Sequence, residues 1–506
     1  MVFTTWTFVV FFTVVLIALG LARTRTMRQL VLLLSSCFFY GWWNPAYLLL
    51  LLTPSVIDYI CALRIVETDD QRRRKAWVTF SVVTNLALLA YFKYTNFFLS
   101  NIDELLGRPF HALDIVLPVG ISFYTFKTLS YTIDVYRREI PACRSLWQYA
   151  MFVTYFPELV AGPIVRASVF LPQMRRSLKP SWTRAAVGAQ VALLGVTKKL
   201  VIADRLSIFV DPVFANPAAF SPFTLASALV AYSLQIYCDF SGYSDIAIGI
   251  SKIIGFDLPE NFNMPYVATS VVDFWRRWHM TLSQWLRDYL YIPLGGNRHG
   301  RLNTYRNLML TMLLGGLWHG ASWNFVFWGF MHGSALAVNH WWTRDRTGAA
   351  RSGEPPRSTV STVAGWAFTY CYICITWIFF RSQNFSTTLI ILRKIFLIDR
   401  SGSDWFYSPL FMLLPIVVAA HALGVLAARR RRAPGSTPHR IVPPVWAERL
   451  YVWMGGRFAV KPSKVAGIYV LVPMPTFVGG LVFAVWLIGV FLFSSLSSSP
   501  FIYFQF

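Results

Sequence analysis

Long stretches without charged residues alternate with short basic segments along the chain. Asp, Glu, Lys and Arg are absent from residues 1–22, 29–57, 212–238, 307–343, 358–380, 405–428 and 465–506. Shorter apolar stretches lie at 76–92, 115–126, 145–157 and 185–197. Because about 20 mostly apolar residues cross a bilayer, each of the longer stretches is sufficient for a span. The pattern predicts an all-α polytopic membrane protein, a multi-helix bundle of about 9–12 spans.

A different pattern, apolar residues at helical spacing, occupies residues 273–298. The apolar positions are Phe274, Trp278, Leu282, Trp285, Leu286 and Tyr289, whereas Arg276, Arg277, Gln284, Arg287 and Asp288 lie mainly on the other side. Arginines opposite tryptophans are typical of an amphipathic helix in the cytoplasmic membrane interface. We therefore expect one such helix here, with Asp273 as its N-cap. His279 falls at the edge of the apolar face, where an inert interfacial role and a chemical role both remain open.

The stretch 307–343 is too long for one straight span. As a single helix it would extend about 55 Å, against about 30 Å of hydrocarbon. It must bend or form two helices, and Gly315 and Gly316 are the expected break.

An imidazole follows these glycines in apolar surroundings. Residues 318–324 read Trp-His-Gly-Ala-Ser-Trp-Asn. A histidine in a membrane cavity can act as a general base or proton relay, which makes His319 the leading candidate. Trp318 and Trp323 are expected to wall the cavity. His332 is less favoured, because on a straight helix it would be turned away from His319.

Other ionisable residues also fall at membrane depth, where each is a functional hypothesis by default. Structural pairing between helices is the alternative for each. These residues are Asp58, Lys93, Lys127, Asp134, Glu158, Asp239 and Asp245.

Composition and charge narrow the possible functions. Only 14% of the residues are charged, against about 25% in soluble domains, which excludes a water-soluble multidomain protein and a disordered chain. The net charge of +23 sits between apolar stretches, as in cytoplasmic loops of membrane proteins, so nucleic-acid binding is not expected. Cys371 and Cys374 lie within an apolar stretch, where helix packing is favoured over redox or metal chemistry. No metal site is expected.

The basic segments also predict a topology. Arg23, Arg25 and Arg28 follow the first apolar stretch, which places the N-terminus outside. Residues 29–63 are expected to form two passes with a break near Asn44-Pro45. Residues 429–464 are expected to form a cytoplasmic loop. One crossing within 465–506 would put the tail 494–506 outside, and two would put it inside; we favour one.

Several motifs together resemble one known family. They are Arg277-Trp278-His279-Met280-Thr281-Leu282-Ser283, Trp285-Leu286-Arg287-Asp288-Tyr289, Leu317-Trp318-His319-Gly320-Ala321, Leu117-Pro118-Val119-Gly120-Ile121-Ser122-Phe123, Tyr155-Phe156-Pro157 with Ala161-Gly162-Pro163, Tyr237-Cys238-Asp239-Phe240-Ser241-Gly242-Tyr243-Ser244-Asp245, and Phe501-Ile502-Tyr503-Phe504-Gln505-Phe506. The chain resembles the membrane-bound O-acyltransferase (MBOAT) family, within it the bacterial alginate O-acetyltransferase membrane-subunit branch. The resemblance is weakest at 340–470.

The resemblance implies a single membrane domain over 1–506, in the bacterial inner membrane, with helices around a central tunnel. His319 matches the invariant family histidine and His279 the second catalytic position. The expected donor is a cytoplasmic thioester, acetyl-CoA or an acyl-carrier protein, and the expected acceptor an extracytoplasmic polysaccharide or a periplasmic acetyltransferase partner. Candidates for binding the donor or lining the tunnel are Trp278, Arg276, Arg277, Gln284, Arg287, Trp318, Trp323, Asn324 and Asp239.

The final aromatic residues add a sharper hypothesis. In relatives a similar terminal motif is associated with receiving the acyl group on a tyrosine, which here matches Tyr503. The alternative is an aromatic belt at the membrane interface.

Other functions remain open at this point. Transfer of D-alanine from a carrier protein, or peptidoglycan O-acylation, would use the same chemistry. A proton-coupled transporter or flippase would use His319 and Asp239 as a proton relay. Transporters often contain inverted repeats and paired broken helices, neither of which the sequence displays.

Overall fold

The computed structural model is built from helices. It describes residues 1–159, 162–175, 181–347, 358–430, 477–495 and 500–502. Side chains are described in all these ranges except at 344–347 and 425–430. The α-helices are α1 Trp6–Leu21, α2 Arg25–Gly41, α3 Pro45–Glu67, α4 Gln71–Leu89, α5 Thr95–Leu105, α6 Ile121–Tyr136, α7 Leu146–Thr154, α8 Phe156–Leu159, α9 Ala167–Met174, α10 Trp182–Val196, α11 Asp204–Ala215, α12 Pro222–Ile254, α13 Val271–Trp275, α14 Met280–Leu286, α15 Gly300–His319, α16 Trp323–Thr347, α17 Thr359–Arg381, α18 Phe385–Ile395, α19 Ser408–Arg430 and α20 Phe477–Phe493. Short π-helical segments lie at Ala90–Tyr94, Thr197–Ala203 and Arg287–Tyr291. Strand pairing within the described ranges is limited to one bridge between Phe220 and Ser403.

Five helical segments are long and apolar enough to cross a membrane. They are Pro45–Glu67, Gln71–Leu105, Trp182–Ala215, Pro222–Ile254 and Thr359–Arg381. Shorter apolar helices occupy Trp6–Leu21, Ser408–Gly424 and Phe477–Phe493. The prediction of an all-α polytopic membrane protein is confirmed.

Polar caps explain where the first helices begin. The side chains of Thr5 and Thr24 accept hydrogen bonds from backbone N–H groups of α1 and α2. Asn44 caps α3, whose first residue is Pro45, and proline is favoured at that position because its missing N–H has no partner there anyway. The predicted break near Asn44-Pro45 is therefore confirmed.

The chain divides into two units by internal contacts. The first unit comprises Met1–Ala192 and Tyr243–Pro259, and the second comprises Leu193–Gly242 and Glu260–Phe506. Of the predicted extramembrane segments, residues 431–464 lie outside the described residues, as do 496–499 and 503–506 of the tail. Their sides of the membrane stay predictions.

Two buried charged groups of the first unit have partners within it. The ammonium of Lys127 lies 2.6 Å from a Glu158 carboxylate oxygen and donates to the Phe152 carbonyl at 2.7 Å. The Asp58 carboxylate accepts hydrogen bonds from Ser81 and Asn85. Pairing of this kind reduces the cost of burying charge, so these residues support the structural alternative.

In the second unit, α15 and α16 pack closely against each other. The two helices are separated by Gly320–Ser322. Of the two predicted outcomes for 307–343, a bend or two helices, the structure has two helices. The predicted break at Gly315 and Gly316 is wrong, because α15 continues through both. A Cβ on Gly316 would overlap the backbone oxygen of Phe325 in α16. This glycine therefore permits close approach of the two helices. Close approach and a bend both require a small residue at this position.

Substitution Gly316→Ala should destabilise the protein by about 1–3 kcal/mol, since overfilled packing forces backbones apart. The added methyl group meets backbone, which cannot rotate away as a side chain can. Thermal unfolding of the detergent-solubilised protein measures the effect. Gly489→Ala is the matched control, because a Cβ there has nothing within 4 Å and alanine favours the helix. Equal unfolding temperatures for the two variants would contradict the packing argument.

The continuous amphipathic helix expected over 273–298 is also wrong. The segment forms α13, a turn, α14 and a π-helical segment, and Ser270 rather than Asp273 caps α13. His279 breaks the helix, with a left-handed backbone at φ 39° and ψ 55°. Trp278 and His279 are both buried, and adjacent residues on a regular interfacial helix point about 100° apart. The turn allows both side chains to enter the interior.

Candidate active site

His279 is held by a loop 18 residues earlier in the chain. Its Nδ1 lies 3.0 Å from the side-chain oxygen of Asn261, and the backbone N–H of Met280 donates to the Asn261 carbonyl at 2.9 Å. The left-handed backbone of a residue such as His279 costs about 1–3 kcal/mol, and such strain clusters at functional sites. Asn261 is itself buried. The surroundings therefore fix both the backbone and the ring of His279.

The hydrogen bonds to Asn261 also define the tautomer of His279. The same Asn261 oxygen accepts from the backbone N–H of Thr281 at 3.4 Å and from its hydroxyl at 2.9 Å. A backbone N–H can only donate, which identifies this Asn261 atom as oxygen. The proton of a neutral His279 ring is therefore on Nδ1, and Nε2 is the basic nitrogen.

Burial keeps His279 neutral. The residue lies outside the candidate spans and is fully buried, and loss of solvation lowers its pKa to about 3. The ring is therefore an uncharged base or hydrogen-bonding group throughout the physiological pH range.

His319 ends α15 inside a group of aromatic rings. The centroid of its imidazole lies 5.0 Å from Trp318, 5.1 Å from Trp328 and 5.3 Å from Phe380. Only 4% of the residue is exposed. An imidazole among aromatic faces is shielded from bulk water, so a reactive acyl group held there would be protected from hydrolysis.

The structure brings His279 and His319 to the same aromatic ring. The Trp318 ring lies 6.3 Å from the His279 ring and 5.0 Å from that of its neighbour His319. Both histidines belong to the second unit. Two imidazoles on one indole form a compact site that can bind a carbonyl group and move a proton.

His332 also lies close to this group of aromatic rings, whereas on a straight helix it was expected to be turned away from His319. The turn between α15 and α16 reverses the chain, and the His332 ring lies 4.5 Å from Trp328. The indole N–H of Trp275 donates to His332 Nδ1 at 3.2 Å, so a neutral His332 carries its proton on Nε2.

The two predicted wall residues differ in burial. Trp318 is buried beside both histidines, whereas Trp323 is 57% exposed. Trp328 and Phe380 also lie close to His319. Asn324 is buried and donates to the Ser382 carbonyl at 2.8 Å, which links α16 to the end of α17.

The candidate donor-binding residues of 273–298 occupy different environments. Trp278 is fully buried against Phe262 and Trp377, with ring centroids 5.0 Å away in each case. Arg277 is paired with Asp273 at 2.9 Å and Arg287 with Asp288 at 2.7 Å. The side chains of Arg276, Gln284 and Arg287 are exposed.

Asp239 belongs to a buried ionic cluster. One carboxylate oxygen lies 2.7 Å from the Lys199 ammonium, which also lies 2.8 Å from Asp204. The other accepts the backbone N–H of Ile502 at 2.8 Å. Tyr503 lies outside the described residues.

The sequence did not single out Asn261, Phe240 or Phe380 as site residues, although Phe240 lies within one of the family motifs. The Phe240 ring meets that of His279 edge-on at 4.7 Å. Asn261 lies in a loop with no helical periodicity, and a buried asparagine cannot be told from an exposed one in such a loop. Within the described residues, no group of three or more His, Cys, Asp or Glu side chains could hold a metal ion.

Comparison with known proteins identifies the family of this chain. The family model of MBOAT, the membrane-bound O-acyltransferase family, matches residues 37–382. The probable alginate O-acetylase AlgI of Azotobacter vinelandii is 41% identical over 81% of this chain and 80% of its own. The peptidoglycan O-acetyltransferase of Helicobacter pylori is 38% identical over 74% of each chain.

A more distant relative is the teichoic acid D-alanyltransferase of Bacillus subtilis, 26% identical over 57% of this chain and 75% of its own. The matched region of the family includes His279 and His319, the two buried imidazoles beside Trp318. The chain belongs to the membrane-bound O-acyltransferase family and is an O-acyltransferase.

Proposed function

We propose that the protein transfers an acetyl group from cytoplasmic acetyl-CoA toward an extracytoplasmic polysaccharide, using His319 and His279. The supporting observation is the placement of these two buried imidazoles at one aromatic ring. We further propose that the protein lies in the bacterial inner membrane with its N-terminus outside.

His319 serves as the general base. Its imidazole takes the proton of an attacking hydroxyl while the hydroxyl oxygen forms a bond to the thioester carbonyl carbon. The carbon–sulfur bond then breaks, and the leaving thiolate takes up the proton, so the products are an ester and a free thiol. A positioned base contributes about 10²–10⁴-fold to such a step. His279, with its basic Nε2, orients the thioester or assists the proton transfer.

Exposed arginines support coenzyme A as the donor. The coenzyme is polyanionic, and guanidinium groups bind phosphate through paired hydrogen bonds. Arg276, Arg287 and Arg298 are exposed on the segment that holds His279. The phosphates would remain at the cytoplasmic surface while the thin pantetheine arm brings the thioester to the histidines.

We propose Tyr503 as the first acceptor. Its phenol oxygen would attack the thioester and become an acetyl ester. Because a phenol has a pKa near 10, far below that of a sugar hydroxyl, it is a better leaving group. The acetyl ester can therefore pass to a polysaccharide hydroxyl, directly or through a periplasmic acetyltransferase partner, which regenerates the phenol.

The donor is tested with purified protein in liposomes. Acetyl-CoA and a D-alanyl carrier-protein thioester are supplied separately, and free thiol is measured over time. We expect thiol release from acetyl-CoA above the rate in protein-free liposomes. Release from the D-alanyl thioester alone would replace acetyl by D-alanyl transfer. Release from neither would contradict transfer from these thioesters.

Asn261→Asp should change the pH dependence of acetyl transfer. The aspartate can still accept the Nδ1–H of His279, but its negative charge stabilises the protonated ring and raises the His279 pKa. The wild-type value of about 3 leaves His279 neutral at pH 5. In the variant, activity should be lost as pH falls through the higher pKa. Initial rates of thiol release from pH 4.5 to 8 measure the change.

Asn261→Ala completes this test. It removes the acceptor, so ring orientation is lost and kcat should fall, by about 10²-fold at most. Asn263→Ala is the matched control, because Asn263 lies on the same loop with an exposed side chain. An unchanged profile in Asn261→Asp, with equal rates in both alanine variants, would contradict a role for His279.

A further inference from the structure

The end of the described chain is bound to the second unit at successive points. Hydrogen bonds join the Trp486 indole N–H to the Thr197 hydroxyl at 3.1 Å, the Arg205 guanidinium to the Phe493 carbonyl at 3.0 Å, the Ser495 N–H to the Leu200 carbonyl at 3.2 Å and the Ile502 N–H to Asp239 at 2.8 Å. Three of the four partners lie on the π-helical segment Thr197–Ala203 or just after it. The terminal segment therefore has a built binding surface on this chain.

The bond to Asp239 differs from the others in charge and burial. Asp239 is 3% exposed and Ile502 is 2% exposed. Two carboxylates, Asp239 and Asp204, share one ammonium, that of Lys199. A buried carboxylate needs hydrogen-bond donors for both of its oxygens, and the Ile502 N–H supplies one. Hydrogen bonds to charged groups are about twice as strong as neutral ones.

The same turn of α12 also contacts the candidate active site. Phe240 follows Asp239 in the sequence, and its ring meets the His279 ring at 4.7 Å. The Phe501 ring lies 5.8 Å from the Phe240 ring. Phe501 is itself buried, with 1% exposure. The Phe240 ring therefore contacts both His279 and Phe501 of the anchored tail.

We propose that Asp239, held by Lys199, is the anchor of the terminal segment and positions Tyr503 for acyl transfer. Tyr503 follows Ile502 by one peptide bond. Asp239 is thus a positioning residue: its carboxylate touches the Ile502 N–H rather than the acyl group. This inference rests on the proposed relay through Tyr503 and adds how the acceptor is held.

Anchoring matters because the reaction rate depends on local concentration. A group on a free flexible segment samples a wide volume at about millimolar effective concentration. Fixed groups in near-attack geometry reach far higher effective molarities. Loss of the Ile502 hydrogen bond should therefore slow acetylation of Tyr503 without altering the histidines.

Hydrogen–deuterium exchange of the full-length protein in detergent measures the hydrogen bond between Ile502 and Asp239 and requires no acyl donor. In Asp239→Ala, the amide of Ile502 should exchange about tenfold faster or more, the factor expected for a lost hydrogen bond to a charged group. Asp204→Ala is the matched control, because it removes the other carboxylate on Lys199 and does not touch Ile502. Exchange at the wild-type rate in Asp239→Ala, or equal acceleration in both variants, would overturn the proposal.

Label transfer then tests positioning. Ile502→Pro removes the donating N–H and leaves the ionic cluster intact, whereas Ile502→Ala keeps the N–H and loses the side chain. With radiolabelled acetyl-CoA, Tyr503 should be labelled about tenfold more slowly in Ile502→Pro than in Ile502→Ala. Equal rates in these two variants would overturn positioning by this bond.

The two proposals fail in different ways. If wild-type protein releases thiol but never carries label on Tyr503, the relay fails and positioning fails with it, whatever the exchange data. If Tyr503 is labelled and the Ile502 amide exchanges alike in wild type and Asp239→Ala, only the anchor fails.

Discussion

Replacing His319 with glutamine is expected to slow thiol release from acetyl-CoA by about 10²–10⁴-fold, the usual contribution of a positioned general base. Glutamine has a similar length and can donate and accept hydrogen bonds, but it does not take up a proton at physiological pH. The aromatic rings of Trp318, Trp328 and Phe380 surround the position, so bulk water cannot readily replace the lost base. The measurement is the initial rate of thiol release in liposomes at saturating donor.

A matched substitution separates chemistry from packing. His421→Gln changes another buried histidine of the second unit, whose Nδ1 lies 2.9 Å from the Val417 carbonyl and whose ring packs on Tyr237. His421→Gln should release thiol at close to the wild-type rate, and its unfolding temperature should be comparable to that of His319→Gln. If both glutamine variants lost activity equally, or if His319→Gln retained it, His319 would not be the base.

Local signals predicted the break before α3 correctly. Asn44 and Pro45 lie together at the start of α3, and the structure places the helix start there. Caps are satisfied by backbone N–H groups two or three residues on, so their physics is visible in the sequence. The same holds for the charge-free stretch at 358–380, which corresponds closely to α17.

The predictions were wrong where contacts with residues distant in the sequence determine the local structure. Gly316 is a residue type common at hinges, but its role depends on its contact with the backbone of Phe325 in the neighbouring helix. His279 was expected on a regular helix, and the loop at Asn261 holds it in a left-handed turn. Periodicity describes one element at a time, so it cannot predict a break that only a neighbouring loop stabilises.

The candidate site was predictable for a different reason. His319 was identified because its imidazole falls in an apolar stretch beside small residues. Placing an ionisable side chain in the membrane costs free energy. Lys127 and Glu158 were equally conspicuous by that criterion, and the structure pairs them with each other. The hydropathy pattern shows which polar residues are buried. Only the tertiary contacts show whether such a residue is a charge paired with another charge or a histidine enclosed by aromatic rings.

Tyr503→Phe should abolish acetyl label on the protein and lower thiol release to the rate of hydrolysis. The substitution removes only the phenol oxygen, the atom that would form the ester, and keeps the aromatic ring. Radiolabelled acetyl-CoA, rapid denaturation and peptide mapping measure the label. Treatment with hydroxylamine identifies the bond, because it cleaves activated esters such as phenyl acetates and leaves amides intact.

A second aromatic residue provides the control for this final test. Tyr407→Phe removes the hydroxyl that donates to the Arg205 carbonyl at 2.6 Å, at a partly buried position. It should leave label on Tyr503, since it removes a phenol that takes no part in the transfer. Label that persists in Tyr503→Phe, or maps to another residue, would contradict the relay. Acetylation of polysaccharide without any labelled tyrosine would mean that the sugar hydroxyl attacks the thioester directly, with His319 still as base.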